Sequence, residues 1–389
     1  MITIDPEFLD WISGVRRDFH MHPELSNQEY RTTQQICSIL KELDIQVQTL
    51  PKSPGAVALI QGSSPGPTLA LRADIDALPI QELNCASYRS CIGNKMHACG
   101  HDAHTAIMLG VARTIMEKNL FHKLKGNVKF LFQPAEEKID GAHKMIKQGV
   151  LENPKVDRVI AGHMAPDLDI GTIGIFKRYG YAAAEQFELT ITGKGGHAGR
   201  PHETIDPISC GAYFVTAIHT IVARNIDPIE SAVVSVGKFQ SGDVGNVIPE
   251  STYIEGTIRT HSERIREIVF NRLNDIVKGM QTLFNVRCNL KIIHETPSCN
   301  CDKSVNEFMY QSAQSIVGKE NVKWLPPTMG SEDFAYFTKE RPSSIIRLGC
   351  RNKEKKIISP LHSPYFDIDE TVLEIGVKIF CEAIFSYLS

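Results

Sequence analysis

Three apolar runs, each ending in residues with chemistry to offer, constrain the fold of this chain more than any other feature. Residues 68–72 (TLALR) lead into Asp74-Ile75-Asp76, 127–132 (NVKFLF) into Gln133-Pro134-Ala135-Glu136-Glu137, and 156–161 (VDRVIA) into Gly162-His163. Runs of this length and make-up read as strands, and each has a helix-like stretch close by in sequence. That alternation predicts an α/β domain, a mostly parallel sheet covered by helices. Such sheets bind their ligands beyond the carboxyl ends of the strands. Here those ends carry Asp, Glu and His.

Residues 96–105, MHACGHDAHT, hold one thiol (Cys99), three imidazoles (His97, His101, His104) and one carboxylate (Asp102). A lone Cys or His is most often a packed core residue. Ligand-type residues at this density instead indicate a metal site, since thiolate and imidazole suit zinc and its borderline-soft neighbours. The small, apolar run after His101 predicts a helix, with Asp102 as its expected N-cap. The opening segment, 5–20, has Phe8, Leu9, Ile12, Val15 and Phe19 at helical spacing and ends at His20-Met21-His22-Pro23. His20 and His22, two apart on a helix, diverge, so a structural role is expected for them.

A chain of 389 residues exceeds the size at which one core keeps growing, which predicts two domains. Lys and Arg number 42 against 45 Asp and Glu, a net −3 that offers no footprint for nucleic acid or an anionic membrane. The N-terminal stretch carries acids and lacks an apolar core, so it is not expected to be a leader, and no run approaches a membrane span. Ten cysteines without regular spacing suggest reduced thiols in the cytoplasm. Cys299-Asn300-Cys301 has no partner pair nearby and reads as a loop feature.

Beyond His163 the pattern changes. Residues 185–192 (EQFELTIT) alternate apolar and polar, and a glycine-rich turn, Gly193-Lys194-Gly195-Gly196-His197, follows. A helix at 206–224, strands at 232–239 and 253–259, a helix at 262–284 and a strand at 286–294 give the order βαββαβ, a ferredoxin-like split βαβ sandwich. Helix-and-strand alternation then resumes to the end of the chain. The economical organisation is a catalytic domain of residues 1–180 and 296–389, interrupted by an inserted domain of residues 181–295.

The candidate functional residues are therefore Asp74, Asp76, Cys99, His101, Glu136, Glu137, His163 and His362. They exceed what one closed structural zinc needs, and their scatter over a sheet edge suits a catalytic site with up to two metals. Adjacent glutamates allow one to bind metal and the other to exchange a proton as general base and acid, without indicating which does which.

In order along the chain, 72–79 (RADIDALP), MHACGHDAHT, 132–137 (FQPAEE), 195–198 (GGHA) and 329–334 (MGSEDF) resemble the metal-dependent amidohydrolases of the aminoacylase and carboxypeptidase superfamily. The similar branch includes hippurate hydrolases, N-acetyldiaminopimelate deacetylases and indole-acetyl-amino-acid hydrolases. The resemblance implies two divalent ions, Zn or Mn ahead of Co or Ni, held by Cys99, His101, Glu137, His163 and His362. It implies Glu136 as the base and Asp76 as a support for a ligand. Asp74 stands where other branches have a ligand histidine and is placed with Asp76. The inserted domain is implied to be lid and dimer surface, with His197 reaching a neighbouring subunit's site and Asn246 and Arg259 gripping the substrate. The expected reaction is hydrolysis of an N-acyl-amino-acid amide, with the metals polarising the carbonyl and His197 stabilising the oxyanion. The rival readings are a carboxypeptidase or dipeptidase and, remotely, a non-catalytic metal-bound dimeric scaffold. Residues 138–142 (KIDGA) and Gly199-Arg200 depart from the usual pattern and bear on substrate identity.

Overall fold

The computed structural model describes residues 3–389; Met1 and Ile2 lie outside the described residues. The first half of the chain builds α1 (Pro6–Met21), α2 (Tyr30–Glu42), β1 (Gln46–Thr49), β2 (Ala56–Gln61), β3 (Ser64–Asp74), α3 (His101–Glu117), β4 (Lys125–Gln133), α4 (Gly141–Lys147), β5 (Arg158–Asp169) and β6 (Ile173–Phe176). Next come β7 (Ala183–Thr192), β8 (Gly196–His197), α5 (Pro207–Asn225), β9 (Ala232–Ser241), β10 (Val247–Ile248), β11 (Ser251–Thr260), α6 (Glu263–Phe284) and β12 (Arg287–Thr296). The last stretch adds α7 (Lys303–Val317), β13 (Val322–Leu325), α8 (Ala335–Glu340), β14 (Ser343–Arg351) and α9 (Thr371–Leu388). None of these helices is long and apolar enough to cross a membrane.

The chain divides into two compact units. The larger takes the residues up to Gly180, then Cys301–Pro326 and Tyr336–Ser389; the smaller takes Tyr181–Asn300 and Pro327–Ala335. In the larger unit one sheet runs β1-β2-β4-β3-β5-β14-β6-β13. Its central strands β4, β3, β5 and β14 are parallel neighbours. The core forms where α3 and α9 pack on the strands and on each other, with α1 against α3 and α7 against α9. Central strands buried on both faces must be nearly all apolar, as Leu69, Leu71 and Phe130 illustrate.

One break in the ladder creates the space for a site. Strand β3 pairs with β5 as far as Arg72 opposite Ala161, after which β5 keeps its pairing with β14 alone, to Arg351 opposite Asp169. His163 therefore lies inside a strand that continues to Asp169, and not just beyond a strand end. The strand outlasts its β3 neighbour because β14 supplies the remaining hydrogen bonds.

The smaller unit is an antiparallel sheet in the order β12-β7-β11-β9. Strict alternation along β7 and β11 turns Phe187, Leu189, Ile191, Ile254 and Ile258 to one buried face. Phe214 and Ile218 of α5 and Val269 and Leu273 of α6 complete that core. With β8 and β10 forming a separate two-stranded ladder, the main elements follow the order βαββαβ.

Candidate metal centre

The N-terminus of α3 fills the gap left where β3 parts from β5. Gly100 makes the entry, at φ +89; a Cβ there would sit 2.5 Å from Met164 Cγ, so both the backbone and the space demand glycine. Gly100, not Asp102, is the N-cap, and Asp102 lies inside the first turn. Its carboxylate is turned to another use. Asp102 Oδ2 accepts from Arg16 Nε and pairs with His20 Nδ1, both at 2.8 Å, and His20 Nε2 lies 3.3 Å from Glu82 Oε1. Arg16 is wholly buried and also reaches Asp367 and Glu370. Burial disfavours the Asp102 charge, but Arg16 and His20 outweigh it and hold the carboxyl well below its usual range. The network ties α1 and the segment before α9 to the root of α3.

The histidines of this turn divide into two roles. His104 Nδ1 bonds Asp74 Oδ1 at 2.5 Å, and its Nε2 accepts the Met164 amide at 2.8 Å, the amide that β3 no longer pairs. Asp74 Oδ2 also takes Arg72 Nη1 at 2.6 Å, and Thr105 Oγ1 donates to the Asp74 carbonyl. Asp74, His101 and His104 lie close enough to hold an ion. With both His104 nitrogens and both Asp74 oxygens already engaged, they instead form a relay that fixes β5 beside His163. His97, buried with neither ring nitrogen hydrogen-bonded, is pushed down to about 4 by burial and joins none of the donor groups.

His101 is arranged differently. Its Nδ1 must donate to the Asp76 carbonyl at 2.8 Å, with Asp76 Oδ1 at 3.2 Å, which leaves the Nε2 lone pair turned elsewhere. That Nε2 is buried without a hydrogen bond, 3.9 Å from Glu137 Oε1 and 4.0 Å from Glu136 Oε2. His163 Nδ1 likewise donates to the Met164 carbonyl, and its Nε2 stands 3.5 Å from Cys99 Sγ. His362 comes from the loop before α9 at φ +62, its amide bonded to the Ala98 carbonyl, with Nε2 3.4 Å from Glu137 Oε1.

Cys99, His101 and His163 form one group within ion-holding distance; Cys99, Glu137 and His362 form a second; His101, Glu136 and Glu137 form a third. The five expected ligands are thus brought together, with Glu136 at their edge. Glu137 Oε1 is buried and takes no hydrogen bond, as is His101 Nε2. Two orphaned donor atoms facing a thiol, imidazoles and carboxylates are what a divalent ion would satisfy. The electrostatics agree. Burial opposes charge on His101, yet Asp74 and Cys99 hold it well above its ordinary value. His362 is raised to about 10 by its contacts with Cys99 and Glu137, whereas burial, helped by His104 and Arg347, depresses His163. Positive charge is thus favoured on His101 and His362 and disfavoured on His163.

Asp76 does not offer itself to an ion. Besides His101, its Oδ2 accepts from Ser26 Oγ at 2.7 Å and from the Glu137 amide at 3.1 Å. It aims one candidate ligand by the ring and another by the backbone.

In the smaller unit, His197 is exposed on β8, opposite Val247 of β10, and its Nδ1 accepts the Gly199 amide at 2.9 Å. The Asn246 carbonyl takes the Ala198 amide, so Asn246 and His197 are neighbours. Arg259 is not with them. This ladder follows the Thr192/Ser251 end of the β7–β11 pair, whereas Arg259 faces Ala184 near the other end. Eight residues of strand separate Ser251 from Arg259, about 26 Å. Arg259 Nη1 is buried with no hydrogen bond, an unmet guanidinium donor.

Residues that the sequence reading passed over include Arg16, Ser26, Glu29 and Arg72, which support the site through contacts to Asp102, Asp76, Ala135 and Asp74. The spacing of His20 from Arg16, one helical turn, was the available signal.

With this geometry in view, the sequence model of peptidase family M20/M25/M40 matches residues 70–386. An N-acetyl-L-cysteine deacetylase of Bacillus subtilis (strain 168) is 39% identical over 360 residues, 92% of this chain and 84% of that protein. Thermostable carboxypeptidase 1 of Saccharolobus solfataricus is 36% identical, covering 95% of this chain and 93% of that protein. The Bacillus subtilis YXEP protein, whose crystal structure is described as a dinuclear metal binding peptidase from the M20 family, superposes with a TM-score of 0.87 at 33% identity over 99% of each chain. The chain therefore belongs to peptidase family M20/M25/M40 and is a metal-dependent hydrolase.

Proposed function

We propose that this protein hydrolyses the amide bond of N-acyl amino acids, releasing a carboxylic acid and a free amino acid. The observation that carries the reading is the donor cluster, buried at Cys99, His101 and His163 and open at His362, with Glu136 at its edge. Cys99, His101, Glu137, His163 and His362 would hold two divalent ions. Bound there, the ions would polarise the acyl carbonyl and acidify a water. Glu136 receives the proton of the attacking water and delivers it to the leaving amine. Asp76 keeps His101 in the tautomer that presents Nε2, and the His104–Asp74 relay keeps His163 in place.

Arg259 would hold the substrate carboxylate, since a guanidinium forms two parallel hydrogen bonds to it. His197 and Asn246 would act together at the other end of the inserted unit, His197 stabilising the oxyanion. About 26 Å of strand is too far for one amino-acid-sized substrate to touch Arg259 and His197 of the same unit. Pairing of two subunits, each lending His197 to the other, resolves this and makes the enzyme a homodimer. Exposed, unpaired Cys85 and Cys91 support a reducing compartment, the cytoplasm.

Zn or Mn are the ions expected. The test is a panel of N-acetyl and N-benzoyl amino acids, each matched with the dipeptide of the same C-terminal residue, on protein loaded with Zn, Mn, Co or Ni. Turnover of the acylated member and not the dipeptide is expected. The reverse preference would make the protein a carboxypeptidase, the activity named for the Saccharolobus relative. No turnover with any metal would exclude both the N-acyl amino acids and the matched dipeptides as its substrates.

A further inference from the structure

One buried carboxyl outside every donor group holds the backbone on which two of the site residues ride. Glu29 is wholly buried at the entry to α2, and one of its oxygens, Oε1, accepts the Ala135 amide at 2.8 Å. Ala135 stands at φ +54, a region that disfavours any residue bearing a Cβ. The turn around it is closed tightly. The Ala135 carbonyl accepts the Gly141 amide at 3.2 Å, and the Glu136 carbonyl accepts the Ile139 amide at 2.7 Å. A Cβ at Gly141 would meet the Pro134 carbonyl oxygen at 1.6 Å, so the turn has no room to relax in that direction. Glu136 and Glu137 follow directly, and the Glu137 amide is taken by Asp76.

Two carboxyls thus hold this turn from below, but their states differ. Asp76 is engaged by His101, Ser26 and Glu137. Glu29 Oε2 is buried and takes no hydrogen bond. Burial first, and the nearby Asp76 charge second, push the Glu29 carboxyl up to about 7, against the pull of the Glu29, Ala135 and Asn27 amides. The Ala135 amide requires an acceptor, not a charge.

We propose that Glu29 is a positioning residue, whose Oε1 holds Ala135 in its left-handed turn and thereby aims Glu136 and Glu137 at the donor cluster. This rests on the hydrolase reading above, because it is the proton transfer by Glu136 that the aim serves. Misplacement of a catalytic group by a fraction of an ångström to an ångström costs up to about a hundredfold in rate.

The test is kcat, KM and metal content for a set of variants of the full-length, metal-loaded enzyme. Glu29→Gln keeps an acceptor at the same reach and should stay within about threefold of wild-type kcat. Glu29→Asp keeps the charge but withdraws it by one methylene, and Glu29→Leu removes the acceptor. Both should lose about tenfold or more in kcat with KM close to wild type, and because Asp76 still holds the Glu137 amide, metal content should fall less than in Glu137→Gln. Glycine enters the left-handed region freely, so Glu29→Leu combined with Ala135→Gly should recover most of the loss. A leucine variant with wild-type kcat would overturn the proposal, as would glutamine failing while aspartate is active. If the leucine variant does not fold, the glutamine and aspartate pair decides alone. Should the wild-type protein hydrolyse no N-acyl amino acid, the functional reading falls but the positioning claim is still decided by crystal structures. Ala135 should keep its positive φ in Glu29→Gln and leave it in Glu29→Asp.

Discussion

In the larger unit the candidate ligands are cross-braced: His101 by Asp76, His163 by the Met164 carbonyl, and the strand beneath His163 by His104 and Asp74. In the smaller unit His197 and Asn246 are exposed, tied to neighbouring backbone through the Gly199 and Ala198 amides. The first arrangement is preorganised before any ligand arrives, with the cost of bringing imidazoles, a thiol and carboxylates together met in folding. The second is ordered by its own short ladder and awaits something to act on. A cluster that binds ions and a histidine that meets them from another subunit would differ in this way.

The largest effect should come from breaking the cluster at its edge. Glu136→Gln is expected to keep its metal and lose about two to four orders of magnitude in kcat. Glu137→Gln should instead lose metal, read by elemental analysis; a Glu136→Gln enzyme with near-normal turnover would reverse or discard these roles. The bracing is tested next. Arg16→Leu leaves Asp102 buried without its main partner, which costs about 3–5 kcal/mol of stability by denaturant titration. A change within 1 kcal/mol would show that the network is dispensable.

Among the ten cysteines, Cys99→Ser should weaken metal binding far more than Cys301→Ser, and equal metal content in the two would contradict the ligand assignment. Because the Cys99 thiol and the imidazoles must be free of protons to bind an ion, metal affinity should fall as pH is lowered from 8 to 6. A flat profile would argue that Cys99 takes no part. The smallest effect belongs to the inserted unit. Arg259→Lys, which keeps the charge and loses the planar pair of donors, should raise KM about tenfold while kcat changes little.

How much of this was legible in the sequence follows the same division. The main strands and helices could be read because each follows a period, alternation along β7 and β11 and unbroken apolar runs along β3 and β4, whereas short elements such as β6, β8, β10 and β13 carry too few residues to show one. The donor residues could be picked out because their types are rare at such density. What period and type do not carry is partnership. Whether Asp102 capped α3 or met Arg16 depends on a contact 86 residues apart in sequence. The use of Glu29 depends on a turn 106 residues away, and a glutamate before a helix gives no hint of it. His163 reads as a strand end because the apolar run stops at Ala161, whereas β14 carries β5 on to Asp169, a fact of the ladder and not of the local sequence. Asn246 and Arg259 read together as a substrate grip, whereas the register sets Arg259 near one end of the β7–β11 pair and the β8–β10 ladder after the other.

The claim that joins the two regions is that the cluster of one subunit works with the His197 of another. Co-expression of His197→Ala with Glu136→Ala, each inactive alone, tests it most directly. In a mixed dimer the subunit with intact Glu136 receives an intact His197, and the other site lacks both. Random pairing makes about half of the dimers mixed, so activity should recover to roughly a quarter of wild type. No recovery in dimers verified as mixed would contradict the shared site and return His197 to its own subunit.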